Sequence, residues 1–205
     1  MTISYAITVC DELEEITILL KHLLEHKREQ DEIVILLDKP KASKQLEVLL
    51  EGHAHAGNIV LAIDYFDRHF ADWKNKLNSF CKGDYIVNID ADELPCEDFQ
   101  NYIVEILEDN PEVDMFVVPR WNTVKGLTEE RAKRWRWSID DLGRINWPDY
   151  QMRVYKNKDI MKWINPVHEV LTGYNTFAPL PDSMYFNHHK TIERQERQNN
   201  LYSAL

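Results

Sequence analysis

Short apolar runs alternate, through the first half of this chain, with segments in which apolar residues recur every three or four positions. The runs are typical of strands buried on both faces, and the spacing is typical of helices with one buried stripe. The predicted strands are Ile3–Val9, Ile33–Leu37, Ile59–Ile63, Tyr85–Ile89 and Asp114–Pro119. The predicted helices are Glu12–Lys27, one capped by Ser43, Phe70–Cys81 and Glu97–Glu108. This alternation predicts an α/β fold with a mostly parallel central sheet, flanked by helices, in a single domain.

Aspartates follow the carboxyl ends of four predicted strands. They are Asp11, Asp38, Asp64, Asp90 and Asp92. Any single one of them could be a turn former or a helix cap. Ligands bind beyond the carboxyl ends of the strands in open parallel sheets, so the set together predicts an acidic binding site at that edge.

The segment Gly83–Pro95 contains the densest group of carboxylates. Asp90 and Asp92 are two positions apart, so in an extended chain both side chains leave on the same side. Two carboxylates held together repel unless a cation lies between them, and such oxygen ligands suit Mg²⁺ or Mn²⁺. A strand that runs into an acidic, solvated turn would give the same spacing.

The second half of the chain is less regular, more basic and richer in tryptophan. The segment 120–162 carries a net charge of +5, while the remainder carries −16. Five of the six tryptophans fall between Trp121 and Trp163. The pattern here predicts a helix near Thr128–Trp137, a strand at Gln151–Tyr155 and a closing polar helix from Thr191 to about Leu201.

Composition narrows the class of protein. With 44% hydrophobic and 29% charged residues, the chain is typical of a globular protein, and its net charge of −11 argues against nucleic acid as a partner. We expect no transmembrane segment and no secretory signal. Three cysteines without metal-type spacing predict reduced thiols and a cytoplasmic location. The six glycines form no phosphate-binding loop, so if a diphosphate binds here, a metal held by carboxylates is the expected substitute for backbone amides.

Four blocks of sequence, taken in order, resemble the GT-A-fold glycosyltransferases of family 2. They are Lys74-Asn75, Asp90-Ala91-Asp92 with Glu93 after it, Gln151–Tyr155 with Pro166–Glu169, and Asn187–Lys190. The resemblance spans Ile3 to about Lys190. The family usually has Asn-Glu after its first strand, and Asp11-Glu12 stands there in this chain.

The resemblance implies an inverting, metal-dependent glycosyltransferase that moves a sugar from a nucleotide-sugar, expected to be a UDP-sugar, to a saccharide or other hydroxyl acceptor. Residues 1–95 would be the nucleotide-binding half and residues 96–205 the acceptor-binding half. The implied donor-binding residues are Asp11, Asp38, Lys74, Asp90, Ala91 and Asp92. The implied ligands of Mn²⁺ or Mg²⁺ are Asp92, Asp90 and His188, with His189 as the alternative histidine.

The resemblance also implies a carboxylate base for the acceptor hydroxyl. The candidate catalytic residues are Glu169 and Asp149, with Asp140 and Asp141 as further rivals. The implied acceptor-binding residues are Trp121, Trp147, Arg153 and His168.

Three other functions fit parts of the sequence. A sugar nucleotidyltransferase would carry a glycine-rich signature after the first strand, which Cys10–Glu15 lacks. A phosphatase with a D-x-D nucleophile would place that motif after its first strand rather than its fourth. A non-catalytic sugar- or nucleotide-binding domain of the same fold stays open.

Overall fold

The computed structural model describes residues 1–203, with side chains up to Asn199, and these residues form an α/β domain with twelve strands and six α-helices. The strands are β1 (Ile3–Val9), β2 (Glu32–Asp38), β3 (Val60–Asp64), β4 (Tyr85–Asp90), β5 (Glu93–Pro95), β6 (Met115–Val118), β7 (Arg120–Lys125), β8 (Gln151–Lys156), β9 (Lys162–Ile164), β10 (Val170–Thr172), β11 (Phe177–Pro179) and β12 (Phe186–Thr191). The helices are α1 (Leu13–His26), α2 (Lys44–His55), α3 (Phe70–Asn78), α4 (Glu97–Asp109), α5 (Glu129–Trp135) and α6 (Ile192–Ser203).

The central sheet has seven strands in the order β11-β6-β8-β4-β1-β2-β3. Strands β3, β2, β1 and β4 pair in parallel, as the alternating pattern predicted. The predicted fifth strand, β6, does not join them directly. Strand β8, which comes from the second half of the chain, lies antiparallel between β4 and β6. Within the described residues β8 is the one reversed strand of this sheet.

Apolar side chains cover the sheet on both faces. Residues that alternate along β1 face opposite sides, so Tyr5 belongs to the apolar cluster that includes α1, α2 and α4, whereas Ala6 belongs to the cluster that includes α3, β9 and β10. The predicted cap of α2 is confirmed, since Ser43 Oγ accepts a hydrogen bond from Leu46 N at 3.2 Å. No helix within residues 1–203 combines the length and the apolar character that a membrane crossing needs.

A second, three-stranded sheet has the order β5-β12-β7. These strands have three to six residues each, and their sequences show no apolar alternation that distinguishes them from loops. Strand β12 pairs antiparallel with β5 and parallel with β7. The small sheet therefore brings residues from near positions 94, 122 and 188 together beside the end of β4.

Gly83 has room for no side chain, because a Cβ there would lie 2.6 Å from Ser4 N and 2.8 Å from Ile3 C. Gly83→Ala is expected to lower the free energy of unfolding by about 1–3 kcal/mol, since β1 and β4 would have to separate. Gly52 lies exposed in α2 with nothing within 4 Å of its Cβ position. The matched variant Gly52→Ala should raise stability by about 0.5–1 kcal/mol. Urea denaturation measures both, and equal effects would contradict the packing argument.

Candidate active site

The aspartates at the strand ends lie along one edge of the central sheet. The register pairs Asp38 with Asp64 and places Asp90 beside Thr8. The predicted acidic edge is therefore present. Asp11 is exposed just beyond β1.

The carboxylate of Asp90 is bound to a buried arginine. Arg153, on β8, is 3% exposed, and its NH2 donates to Asp90 Oδ2 at 2.6 Å and to Glu93 Oε1 at 2.5 Å. Burial by itself would raise the pKa of Asp90, but the charges of Arg153 and Lys74 hold this pKa below its ordinary value. Burial by itself would lower the pKa of Arg153, but the nearby carboxylates of Asp90 and Glu93 raise it. Asp90 and Arg153 therefore stay ionised together.

Glu93 and Arg120 complete this ion cluster, and the sequence analysis assigned no role to either. Glu93 is 1% exposed, and its Oε2 accepts a hydrogen bond from Asp90 N at 3.1 Å. Arg120 NH1 lies 3.4 Å from Glu93 Oε1. The available signal for Glu93 was its place directly after Asp92, at the end of an apolar strand. Nothing local marked Arg120, whose partners are distant in sequence.

The other aspartate of the motif, Asp92, faces three basic side chains. Its Oδ2 lies 3.4 Å from His188 Nε2, 3.5 Å from Lys190 Nζ and 3.5 Å from Arg194 NH2. Burial would raise the pKa of Asp92, but these neighbours lower it. The pKa of His188 is lowered by burial and by nearby Lys190, despite the Asp92 carboxylate. Arg194, at the start of α6, also pairs with Glu12 at 3.4 Å and so ties that helix to the site.

The register of the small sheet aligns His188 with one residue on each neighbouring strand. Its partners are Glu93 on β5 and Asn122 on β7. His188 Nδ1 lies 2.6 Å from Asn122 Oδ1, and Asn122 Nδ2 donates to Asp149 Oδ2 at 2.6 Å. Of the two predicted histidines, His188 is the one beside Asp92. His189 points to the opposite face of the small sheet, where its Nδ1 lies 2.5 Å from Thr123 Oγ1.

Asp149 is held on both of its oxygens. Oδ2 accepts from Arg120 Nε at 2.9 Å and from Arg120 NH2 at 2.8 Å, and Oδ1 accepts from Gln151 Nε2 at 3.0 Å. Together with the hydrogen bond from Asn122, these contacts occupy both carboxylate oxygens with neighbouring side chains. This arrangement suits a group that orients other side chains better than a group that removes a proton from an acceptor.

Lys74 and Glu169 form a second charged pair near Asp90. Lys74 is 6% exposed, and its Nζ lies 2.6 Å from Glu169 Oε1 and 4.4 Å from the ring centroid of Trp163. Asn75 Oδ1 accepts from Trp163 N at 2.9 Å, which fastens β9 to α3. The hairpin is thereby fixed, and it presents Glu169 towards the carboxyl edge of the sheet. His168, next to it, is exposed with a φ of 53°.

The remaining predicted donor residue on a strand, Asp38, supports a loop. It is 3% exposed, and its Oδ1 accepts from Phe66 N at 3.1 Å, while Lys41 Nζ lies 3.4 Å from Oδ2. Ala91, between the two motif aspartates, is buried at 4% exposure.

The tryptophans predicted to bind the acceptor lie in an aromatic cluster. The rings of Trp121 and Trp147 are 5.9 Å apart, Tyr185 packs 5.1 Å from Trp121, and the Arg144 guanidinium lies 4.1 Å from the Trp147 ring. Trp121 alternates along β7 with Asn122, so it faces away from His188. The cluster is half-buried on the outer face of the small sheet.

The residues around Asp92 fit a divalent cation in part. A carboxylate and an imidazole nitrogen 3.4 Å apart are a ligand pair that Mn²⁺ accepts. The Asp90 carboxylate is instead bound to Arg153. Among the described residues no group of three or more His, Cys, Asp or Glu side chains converges as a metal site. Asp92 and His188 are the two of these side chains that lie together, and Lys190 Nζ and Arg194 NH2 lie 3.5 Å from the same carboxylate oxygen.

The mostly parallel sheet, its flanking helices and the acidic carboxyl edge define a GT-A-like α/β protein. The sequence model of "Glycosyl transferase family 2" matches residues 4–176, and the chain belongs to this family. No curated protein matches the chain.

Solved structures of S. aureus TarS share the fold. The crystal structure of TarS 1–349 has a TM-score of 0.65 and 13% identity, covering 92% of this chain and 60% of that one. The complex with UDP-GlcNAc has a TM-score of 0.65 and 13% identity, covering 93% and 59%. The complex with UDP has a TM-score of 0.66 and 12% identity, covering 98% and 64%. The chain thus spans about three-fifths of these neighbours.

Arg153→Met is expected to lower the free energy of unfolding by about 3–5 kcal/mol, because Asp90 and Glu93 would be left buried with less compensating charge. Lys133→Met removes a cation whose side chain is 81% exposed and whose partner Glu129 lies 3.8 Å away. That control should change stability by less than about 1 kcal/mol. Urea denaturation compares the two, and a loss as small in Arg153→Met as in the control would refute the structural role of the cluster.

Proposed function

We propose that this protein is a nucleotide-sugar-dependent glycosyltransferase with a UDP-sugar as donor. The observation that carries the proposal is the cluster at the carboxyl edge of the sheet, where the Asp92–His188 pair and the Lys74–Glu169 pair flank Asp90. The family membership supports it, and so does the fold shared with TarS, which was crystallised with UDP and with UDP-GlcNAc.

The donor lies, in this proposal, over residues 1–95, with Asp11 and Asp38 near the nucleoside and Asp90, Ala91 and Asp92 beside the ribose and diphosphate. Asp11 is exposed at the end of β1 and can reach a ligand directly, whereas buried Asp38 acts through the loop at Phe66. Lys74 is a cation close to Asp90 that can meet diphosphate oxygens.

Asp92 and His188 would hold Mn²⁺ or Mg²⁺ in this site. When bound, such an ion neutralises charge that develops on a leaving diphosphate. Lys190 and Arg194 lie at the same carboxylate and can add positive charge for the same group. The side chains of Asp90, Arg153 and Glu93 keep the backbone between the two aspartates in place.

Glu169 is the proposed general base. It would accept the proton of the acceptor hydroxyl at a carboxylate oxygen while that hydroxyl attacks the sugar, so one displacement inverts the anomeric centre. Its side chain is 18% exposed, so solvent reaches it. Asp149, the other candidate, has both oxygens bound to neighbouring side chains.

The acceptor is a saccharide or another hydroxyl compound bound by residues 96–205. His168 is exposed beside Glu169 and suits a direct contact. Trp121 and Trp147 lie on the outer face of the small sheet, so they would bind a more distant part of the acceptor. Arg153 is buried and would act by holding Asp90 rather than by touching the acceptor.

One observation favours a second function, a non-catalytic sugar- or nucleotide-binding domain. Both motif aspartates already face basic side chains, Asp90 with Arg153 and Asp92 with Lys190 and Arg194. Such pairing could replace a metal in a protein that binds a ligand without turnover. Release of nucleotide from a donor separates the two functions.

Incubation with UDP-, GDP- and other sugar nucleotides, with Mn²⁺, Mg²⁺ or EDTA, tests the proposal. Slow release of UDP from one donor is expected with Mn²⁺ and not with EDTA. Asp92→Asn should remove the metal-dependent donor binding and leave the protein folded, with a lower thermal midpoint because Lys190 and Arg194 lose a charged partner. Asp64→Asn, at the same edge but paired with Lys76, is the control that should behave as the unaltered protein. Unchanged Mn²⁺-dependent affinity in Asp92→Asn would exclude the metal assignment.

Glu169→Gln should lower kcat by about 10²–10⁴-fold without weakening donor binding, since proton removal is lost while Lys74, no longer paired with a carboxylate, stays available to the diphosphate. Asp140→Asn alters a carboxylate bound to Arg144 at 2.6 Å and should have little effect on kcat. Steady-state kinetics with calorimetric donor binding measures both variants. Equal losses of kcat in the two would rule out Glu169 as the base.

A further inference from the structure

Three adjacent strands place polar side chains side by side next to Asp92. Glu93, His188 and Asn122 are cross-strand neighbours on β5, β12 and β7. His188 is 7% exposed, so its two ring nitrogens meet protein groups rather than bulk water. Nδ1 faces Asn122 and Nε2 faces Asp92.

The orientation of the Asn122 amide follows from its neighbours. Its Nδ2 lies 2.6 Å from Asp149 Oδ2 and 3.5 Å from Ile145 O, and both of these atoms only accept hydrogen bonds. The amide nitrogen must therefore point to them. The amide oxygen then points to His188 Nδ1 at 2.6 Å, which must carry a hydrogen to donate.

The opposite nitrogen of the ring, Nε2, faces Asp92. The distance from His188 Nε2 to Asp92 Oδ2 is 3.4 Å. This is well beyond the roughly 2.7–2.9 Å of a charge-assisted N–H···O⁻ bond, so Nε2 makes no short hydrogen bond to this carboxylate.

Asp149, which accepts the hydrogen bond from Asn122, is itself held by other side chains. Arg120 donates twice to its Oδ2, and Gln151 donates to its Oδ1. The residue itself has a φ of 32°, in a region that non-glycine residues seldom occupy. Strained backbone of this kind persists where the surroundings hold it, and here three side chains hold it.

We propose that Asn122, held by Asp149, is a positioning residue that fixes His188 as the Nδ1–H tautomer and so keeps Nε2 free to ligate a divalent cation with Asp92. The inference rests on the proposed function for the identity of the cation. Its core, the tautomer of His188, is a property of the metal-free protein.

The ¹⁵N resonances of the His188 ring, recorded on the metal-free protein at neutral pH, test the tautomer. The expected result is a protonated, pyrrole-like Nδ1 and an unprotonated, pyridine-like Nε2. An Nε2–H tautomer or an imidazolium in the unaltered protein would overturn the proposal, and this measurement requires no variant to fold.

Asn122→Leu keeps the size of the side chain and removes the acceptor for Nδ1–H. The proton should then move to Nε2 and donate to Asp92, because that carboxylate becomes the only strong acceptor within reach of the ring among the contacts described. Asn187→Leu is the matched control, since this neighbouring amide contacts Leu94 O at 3.4 Å on the other face of the sheet. The role of Asn122 would be contradicted if Asn122→Leu kept the His188 tautomer of the unaltered protein, or if both variants changed that tautomer.

Binding of Mn²⁺ in the presence of UDP, followed by electron paramagnetic resonance, gives a second readout. Asn122→Leu should weaken Mn²⁺ about 10–100-fold, as loss of an outer hydrogen bond does at other metal sites, and Asn187→Leu should not. Unchanged Mn²⁺ affinity in Asn122→Leu would overturn the positioning role. If the unaltered protein shows the expected tautomer and binds neither Mn²⁺ nor UDP, the proposed function fails and the tautomer assignment stands.

Discussion

The guanidinium of Arg153 holds together two carboxylates, Asp90 and Glu93, that would repel each other inside the protein. It joins the end of β4 to β8 in the central sheet and to β5 in the small sheet. Removing charges from water is costly, and the cost is recovered only when each charge has close partners. Arg120 supplies the second cation at Glu93. The junction of the two sheets therefore depends on this cluster.

The junction also determines where chemistry can take place. Because Glu93 accepts a hydrogen bond from Asp90 N, the short turn after β4 is pinned, and Asp92 is directed towards His188 on β12. From Arg120 the contacts continue through Asp149 and Asn122 to the same histidine. Contacts with Arg153 and His188 thus hold the side chains of Asp90 and Asp92. Both aspartates lie at the carboxyl edge of the central sheet.

The regular part of the fold was predictable from the sequence because its signals are local. Buried strands such as Tyr85–Ile89 are apolar runs, and α1 has an apolar stripe, so each segment indicates its own structure. The aspartates at the strand ends followed from chain order alone, since parallel strands present their carboxyl ends at one edge. The family resemblance added predicted roles for Asp90, Asp92, Glu169 and His188, and the matching sequence model confirmed the family.

The sequence by itself determined the class of fold, the acidic edge and most of the residues that gather there. Only the tertiary structure decided which charge pairs with which. Arg153 lies 60 residues from Glu93, and Asp149 lies 27 residues from Asn122, and no local pattern encodes such pairs. Strands β5, β7 and β12 are too short and too polar to be recognised before they pair. Their register places Glu93, His188 and Asn122 side by side, because strand pairing is set by neighbours in space rather than by neighbours in the chain.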